Sequence, residues 1–380
     1  MVSTVHRPDD ARIFWKQALT LAAAGYSVTA IFWTADASAS SDIEIEGVHR
    51  RILWKGRGKP GLRQKLSVLL RTLRLCLQSD CESFLIHDPE LIPVGMALVS
   101  AGRKVIYDAH EDLPTQILHK DYLTPWQKSI ARGIAIGLVR SANRWLSGQL
   151  CATSTVQQRF QRHSCVVRNF PLLREFTVPA NGSRTAQIVY VGGLTSSRGI
   201  TELIEAVNRL HSSPRLILAG PWESESYRAQ CEQADSLGRV TYAGILNRDG
   251  IAKLLAESDV GVAVLHPLPA YVDALPVKLF EYMAAGLPVV VSDFPLWRGI
   301  VGSASCGVLV EPGDVNALRV ALDYLLESPE IRRRMGVNGR WAVEHRYTWE
   351  TESTRFLSFV DSVFGSPIPS EPSESLVLPA

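Results

Sequence analysis

Between Gln187 and Pro312 the chain repeats one pattern. Six short apolar segments, "QIVYVGG", "RLILAG", "RVTYAGI", "DVGVAVL", "LPVVVSD" and "CGVLVEP", are separated by helical stretches such as "TELIEAVNRL", where Leu203, Val207 and Leu210 share a face. A strand that is apolar on both sides must be covered on both sides, and a helix between consecutive strands forces them to run parallel. This pattern therefore requires a parallel α/β sheet with helices on each face.

The first half repeats the alternation less regularly. It reads as a helix "ARIFWKQALTLAAAG", a strand "SVTAIFW", a basic helix, a strand "SFLIHD", a helix after Pro89, a strand "KVIYDAHE", a long helix through about Trp145, and short elements up to "CVVRNFP". Two such runs predict two Rossmann-like domains, which suits a chain of 380 residues. The expected boundaries are 1–168 for the first domain, 169–185 for a linker rich in Pro, Gly, Asn and Ser, and 186–345 for the second domain. A helix over 346–364 follows, and the Pro- and Ser-rich segment 365–380 reads as a disordered tail.

Composition excludes several classes. A net charge of +2 argues against a dedicated nucleic-acid binder. Six scattered cysteines without C-x-x-C spacing fit a reducing cytosol. "MVSTVHRPDD" lacks the apolar core of a signal peptide, and "SIARGIAIGLVRSA" is interrupted by Arg132 and Arg140, too soon for a membrane span. Charge is nevertheless uneven. Nine bases and no acid lie between Glu46 and Asp80: Arg50, Arg51, Lys55, Arg57, Lys59, Arg63, Lys65, Arg71 and Arg74. Leu62, Leu66, Leu69, Leu70, Leu73 and Leu77 recur at helical spacing and predict an apolar face opposite a cationic one. Three of these bases at an anionic leaflet would contribute about 3 kcal/mol, enough for reversible docking. The second basic and apolar stretch, "TPWQKSIARGIAIGLVRSANRW", points the same way.

Open α/β sheets bind ligands beyond the carboxyl ends of their strands, and three motifs lie there. In "VYVGGLTSSRGITELIEAV" a strand ends in Gly192 and Gly193 and a helix begins near Gly199; glycines admit a phosphate and Arg198 adds a bidentate donor. G-x-G-x-x-G is absent, which disfavours a dehydrogenase. In "KVIYDAHEDLP", Asp108 and His110 share a strand face, followed by Glu111 and Asp112. Taken alone, that group fits a metal site, an acid/base pair or a satisfied strand end, and substrate contact by His110 suits it better than a metal. In "DALPVKLFEYMAAGLPVVVSD", Pro276 suits the first turn of a helix that Gly286 terminates. Asp273 then precedes the helix, Lys278 lies near its start, and Glu281 follows. Carboxylates accept from sugar hydroxyls, so two acids flanking an anion-friendly helix start fit a nucleotide sugar.

The segment "DALPVKLFEYMAAGLPVVVSDFP" resembles the E-x7-E region of retaining family 4 glycosyltransferases of GT-B fold, with Asp273 in the place of the first glutamate and Glu281 in that of the second. "VGGLTSSRG" resembles that family's phosphate loop and "YTWETESTRFLSFVDSV" its closing helix. "DAHEDLP" and "RNFP" resemble the amino-terminal half of its bacterial polysaccharide-assembly members. The resemblance implies two domains facing across a cleft, with a carboxyl-terminal helix crossing back. It also implies transfer of a sugar, with retention and without a metal or other cofactor, to a glycan or lipid-linked acceptor. The enzyme would act in cell-surface polysaccharide synthesis, cytoplasmic and peripheral at the inner face of a membrane.

Carried over by position, Glu281 would hold the ribose and Asp273 the donor sugar. Arg198 would bind the pyrophosphate, helped by Lys278, and His110 would contact the sugar near the reacting carbon. Backbone at Gly244 and Ile245 would hold the base. Asp10, Arg12 and Glu111 are expected on the acceptor side. Gly193 stands where the family often has Arg, and "HRPDDAR" replaces a Gly-rich first loop. Two other classes stay open: a nucleotide-sugar epimerase of the same architecture, and a non-catalytic sugar-binding or assembly protein.

Overall fold

The computed structural model describes residues 1–35, 41–56, 61–118, 124–178 and 187–367. Two compact units divide the chain: Met1–Arg168 with Glu352–Ala380, and Asn169–Thr351.

The first unit contains β1 (Val2–Ser3), β2 (Val28–Thr34), β3 (Asp42–Ile45), β4 (Val48–Trp54), β5 (Ser83–Ile86), β6 (Lys104–Ala109), β7 (Gly148–Cys151) and β8 (Ser164–Val166). They form one sheet in the order β3-β4-β2-β1-β5-β6-β7-β8. Only the β3–β4 pair is antiparallel. Its helices are α1 (Leu19–Ala23), which continues a π-helical stretch Ala11–Ala18, then α2 (Leu62–Gln78), α3 (Ile92–Ser100), α4 (Leu113–Leu118), α5 (Pro125–Trp145) and α6 (Ser154–Gln157).

The second unit holds β9 (Gln187–Val191), β10 (Arg215–Ala219), β11 (Val240–Gly244), β12 (Val260–Ala263), β13 (Val289–Ser292) and β14 (Gly307–Val310). All six are parallel, in the order β11-β10-β9-β12-β13-β14. Between and after them run α7 (Ile200–Asn208), α8 (Glu225–Ala234), α9 (Arg248–Ala256), α10 (Pro269–Val272), α11 (Val277–Ala284), α12 (Pro295–Ala304), α13 (Val315–Glu327) and α14 (Pro329–Arg346). A final helix, α15 (Trp349–Phe364), starts in this unit, and from Glu352 the chain belongs to the first.

Both faces of the second sheet are covered. In β9, Val189 and Val191 join one apolar cluster while Ile188 and Tyr190 join the other. Val289 and Val291 of β13 divide from Val290 in the same way. The strand order reverses at β1 in one sheet and at β9 in the other, and such a reversal opens a crevice at the strands' carboxyl ends.

Three expectations need adjustment. Helix α2 does not set its leucines opposite its bases, because exposed leucines and arginines adjoin on one side. Val68, Thr72 and Cys76 are its buried residues, Leu69 and Leu73 are partly buried, and Leu62, Leu66 and Leu70 are 83%, 54% and 57% exposed. The apolar arc of this helix is wider than the stripe that the sheet and α3 can cover. Secondly, the stretch 169–178, expected as linker, places Phe170 and Phe176 in the second unit's core, where Phe170 meets Phe280 and Tyr347 edge-on. The rest of that linker, most of the expected tail, and Arg57 and Lys59 lie outside the described residues. Thirdly, Pro276 stands one position before α11, as its cap. Among the described residues no helix is long and apolar enough to cross a membrane.

Candidate functional site

Helix α11 is fixed to the sheet before it presents anything. Tyr282 packs against Gly261 of β12, where a Cβ would lie 2.5 Å from its ring, and the Tyr282 hydroxyl accepts from the Val191 N–H at 2.9 Å. Trp297 Nε1 donates to the Ala274 carbonyl at 2.8 Å and holds the approach to the helix. At the other end Gly286 adopts the left-handed conformation (φ 68°), and the N–H groups of Gly286 and Leu287 bond back to the Met283 and Tyr282 carbonyls. The first turn of α11 is thereby set beside the end of β9.

There Lys278 and Arg198 converge on one glycine. Gly192 has φ 127°, and a Cβ built on it would lie 2.8 Å from Lys278 Nζ and 3.4 Å from Arg198 Nη1. Gly193 faces the same guanidinium, since its Cβ would lie 3.2 Å from Nη1. The Lys278 residue is part exposed, but its Nζ is buried, 3.7 Å from the Tyr190 ring centroid, with no hydrogen-bond partner among the described residues. Burial and then the Arg198 cation push the Lys278 ammonium well below its ordinary pKa, and Glu281 opposes them. A guanidinium and a buried amine beside a bare glycine backbone offer donors that a diphosphate can accept from.

The other expected residues of the second unit lie at different depths. Glu281 is half-buried one turn after Lys278 on the same helix. Asp273 is exposed in the loop that closes α10. Gly244 is left-handed (φ 78°), its carbonyl takes the Gly220 N–H, and Ile245 beside it is exposed. Tyr190 and Tyr271 were not anticipated. Tyr190 donates to the Gly193 carbonyl at 3.0 Å, and Arg198 lies over the Tyr271 ring at 5.9 Å. A tyrosine inside an otherwise aliphatic strand was the available signal for the first.

In the first unit the carboxyl ends of β1, β5 and β6 bring together a polar cluster that the sequence showed only in part. Asp108 is fully buried. Its oxygens accept from Arg12 Nη2 at 2.7 Å and Nε at 2.8 Å and from Gln17 Nε2 at 2.8 Å, and His110 Nε2 lies 3.0 Å away. Burial works against the charged carboxylate, but the Arg12 guanidinium and His110 hold Asp108 well below its usual range. The His110 side chain is 21% exposed and is the member of this network that a ligand can reach.

Arg12, expected to line the acceptor side, is 3% exposed and also donates to the Val167 carbonyl. A buried guanidinium needs the carboxylate more than any ligand does. Asp10 is likewise engaged, accepting from the Arg12 and Ile13 N–H groups as a helix cap. Glu111 is exposed in the turn after β6.

Three further residues complete the cluster. Asp88 accepts from Ser3, Thr4 and Val5 and pairs with His6 at 2.9 Å, and the His6 and His110 rings lie 4.8 Å apart. His87 is buried beside Asp108 at 3.4 Å. "SFLIHD" ends at the same sheet edge as "DAHE", so the strand-end argument that singled out His110 applied equally to His87 and Asp88.

His87, Asp108 and His110 offer ligand atoms within 4.8 Å of one another. Both Asp108 oxygens already carry charged or amide donors, so a divalent ion would face the Arg12 guanidinium; the set fits a hydrogen-bonded network. Burial lowers the His87 pKa to about 4. Unfolding raises it to about 6.5, so the unfolded state binds the extra proton between those values and stability falls as the pH drops through that window. The expected loss from this residue is about 2 kcal/mol between pH 7.5 and 5. Urea unfolding at both pH values should show that slope in the native chain and its absence in His87→Asn; equal slopes would remove the assignment.

Comparison with known proteins bears most directly on the second unit. Residues 174–341 match the family described as "Glycosyl transferases group 1". An uncharacterized glycosyltransferase of Methanocaldococcus jannaschii is 28% identical over 43% of this chain, and the match spans only 41% of that protein's length. A phosphatidyl-myo-inositol mannosyltransferase of Mycobacterium leprae is 25% identical over 77% of this chain and 76% of its own length. Among solved structures, sucrose-phosphate synthase of Thermosynechococcus elongatus has a TM-score of 0.79 at 18% identity, covering 96% of this chain and 98% of that one. HepE of Anabaena, in complex with UDP and glucose, has a TM-score of 0.72 at 17% identity, covering 95% and 98%. At such identities the structures show the fold alone. The findings together support a transferase enzyme: residues 174–341 match the glycosyl transferases group 1 family, within a chain that has the two-sheet fold of GT-B glycosyltransferases.

Proposed function

We propose that the chain is a retaining glycosyltransferase that moves a sugar from a nucleotide-sugar donor to a glycan or lipid-linked acceptor in cell-surface polysaccharide assembly. The observation that carries this reading is the convergence of Lys278 and Arg198 on Gly192. The complex of HepE with UDP and glucose and the lipid named for the M. leprae relative are in keeping with such a donor and acceptor. In this account Arg198 and Lys278 hold the diphosphate and stabilise it as it leaves, which is where fixed charge lowers a transfer barrier most. Glu281 accepts from the ribose hydroxyls, Asp273 contacts the donor sugar, and backbone at Gly244 and Ile245 holds the base, while His110 is the substrate contact of the first unit. The acceptor would bind the first unit, peripheral at the inner face of a membrane.

With two fixed cations at the diphosphate, a divalent ion has no charge left to neutralise. Transfer is therefore expected to survive EDTA, and loss with EDTA followed by recovery with magnesium would overturn this part. The site itself is tested by nucleotide release from a panel of nucleotide sugars. Glu281→Gln should raise the donor KM about tenfold or more, since a charged hydrogen bond contributes roughly 1.5–3 kcal/mol. Unchanged release in Glu281→Gln would refute the site, and tight donor binding with no release on any acceptor would favour a non-catalytic binder. The anomeric configuration of the product, read by proton NMR, decides retention.

A further inference from the structure

The first unit carries a second chemical feature that sugar transfer does not use. Helix α2 turns two adjoining stripes outward: Leu62, Leu66, Leu70 and Leu77, all exposed, and Arg63, Arg71 and Arg74 beside them. Arg63, Ser67, Arg71 and Arg74, with Leu66 and Leu70, line a shallow open depression of about 460 Å³. On α5 the side chains of Trp126, Ile130 and Ile134 follow at four-residue spacing, each more than half exposed, with the exposed Arg140 and Arg144 further along. Neither helix contains an acid. Both pack against α3, so they flank it in one helical layer of the first unit.

Exposed leucine and tryptophan beside arginine, with no acid in between, match the boundary of an anionic bilayer. Apolar tips enter the acyl region there while guanidinium groups meet phosphates. A soluble protein partner would have to supply carboxylates for the arginines and an apolar surface for the leucines in matching register, whereas an anionic bilayer presents phosphate and acyl chain along its whole boundary. From this we propose that α2 and α5 form a docking face for an anionic phospholipid bilayer, and that the depression between Arg63, Arg71 and Arg74 receives a headgroup phosphate, with Ser67 donating to it. The inference deepens the lipid-linked acceptor proposed above. It concerns the surface rather than the transfer, so it can be tested without donor or acceptor.

The test is co-sedimentation of the full chain with phosphatidylcholine vesicles, with and without about 30% phosphatidylglycerol. Binding is expected only with the anionic lipid, and it should weaken as salt rises from about 0.1 to about 0.5 M. Replacing Arg63, Arg71 and Arg74 together by Gln should weaken partitioning about a hundredfold, near fivefold for each cation removed. Leu66→Ser with Leu70→Ser should weaken it about tenfold or more and leave the salt dependence unchanged. Trp126→Ser with Ile130→Ser should do the same from α5. These side chains are exposed, so the melting temperature should not move in any variant. Equal binding to both vesicle types, or binding that no variant changes, would overturn the proposal. Self-association lost in the leucine variants, without vesicle binding, would assign the face to a second copy of the chain. Failure of transfer with vesicle binding intact would count against the transferase reading alone.

Discussion

Lys278→Met is expected to abolish tight donor binding and, at the same time, to raise the melting temperature of the ligand-free protein. The two effects have one cause. Lys278 Nζ is buried without a hydrogen-bond partner among the described residues, beside another cation. An unsatisfied buried polar group costs about 1–3 kcal/mol, and methionine fills the same space without it. When a diphosphate binds, the amine gains the hydrogen-bond acceptor it lacks, so the native chain recovers more in the complex than methionine can. Loss of such a fixed charge at a leaving group lowers kcat/KM about 10²–10³-fold. The native amine should also take up as much as one proton on binding UDP, because its depressed pKa rises in the complex. Affinity then falls as pH rises between the free and bound pKa values. Calorimetry in buffers of different ionisation enthalpy measures that uptake. A Lys278→Met chain that binds donor normally, or that is less stable without ligand, would contradict the site.

Arg12→Leu should cost about 3–5 kcal/mol in unfolding of the first unit, the effect of stranding a buried carboxylate. Asp108 would keep Gln17 and His110 but lose both guanidinium bonds and the charge that holds its pKa down. Its depressed pKa makes a contribution to stability that is present above the ordinary carboxylate pKa of about 3.9 and is lost as pH falls towards the folded value. Urea unfolding near pH 7 therefore reads the full effect. Arg12→Leu with Asp108→Leu should recover at least half of the lost stability, because replacing both partners removes the uncompensated charge. A single variant as stable as the native chain would show that the pair is not the anchor of this sheet edge. His110 also depends on Asp108 for its orientation, so donor turnover should fall in Arg12→Leu even where the chain remains folded.

The second sheet was fully legible because each strand is apolar on both faces and bounded by helices. Its six segments appear in order, and Gly286 ends α11 as its position suggested. The first sheet was harder to read. β1 has two residues, too few to show any period. The β3–β4 hairpin was missed because β3 is an edge strand of alternating acids and β4 contains Arg50 and Arg51. Its turn, Glu46 and Gly47 with φ 47° and 77°, is of the kind that pairs with strand twist, but Glu is not a residue that announces it. The site divided similarly. Motif residues in the second unit were legible from chemistry at the strand ends. Contacts across long sequence separations, such as Arg12 with Asp108 and His6 with Asp88, required the sheet order. The leucines of α2 were visible as a set, but which of them the sheet covers depends on the helix's rotation about its axis.

The return of the chain to its first unit at Glu352 has a consequence for how the protein is made. Arg168 binds Glu352 through both its backbone N–H and its guanidinium, Tyr26 donates to Asp361 and the Gly365 carbonyl, and Lys104 donates to the Phe364 carbonyl. All of these bonds join residues that precede the second unit to residues translated after it. While the ribosome is still synthesising the second unit, the first lacks its closing segment, so the continuous Asn169–Thr351 stretch can complete its fold before the unit that precedes it. Genetic separation should show the same asymmetry: a fragment spanning 169–351 can stand alone, whereas one ending at Arg168 leaves an uncovered surface, and supplying 352–367 as a separate peptide should restore it.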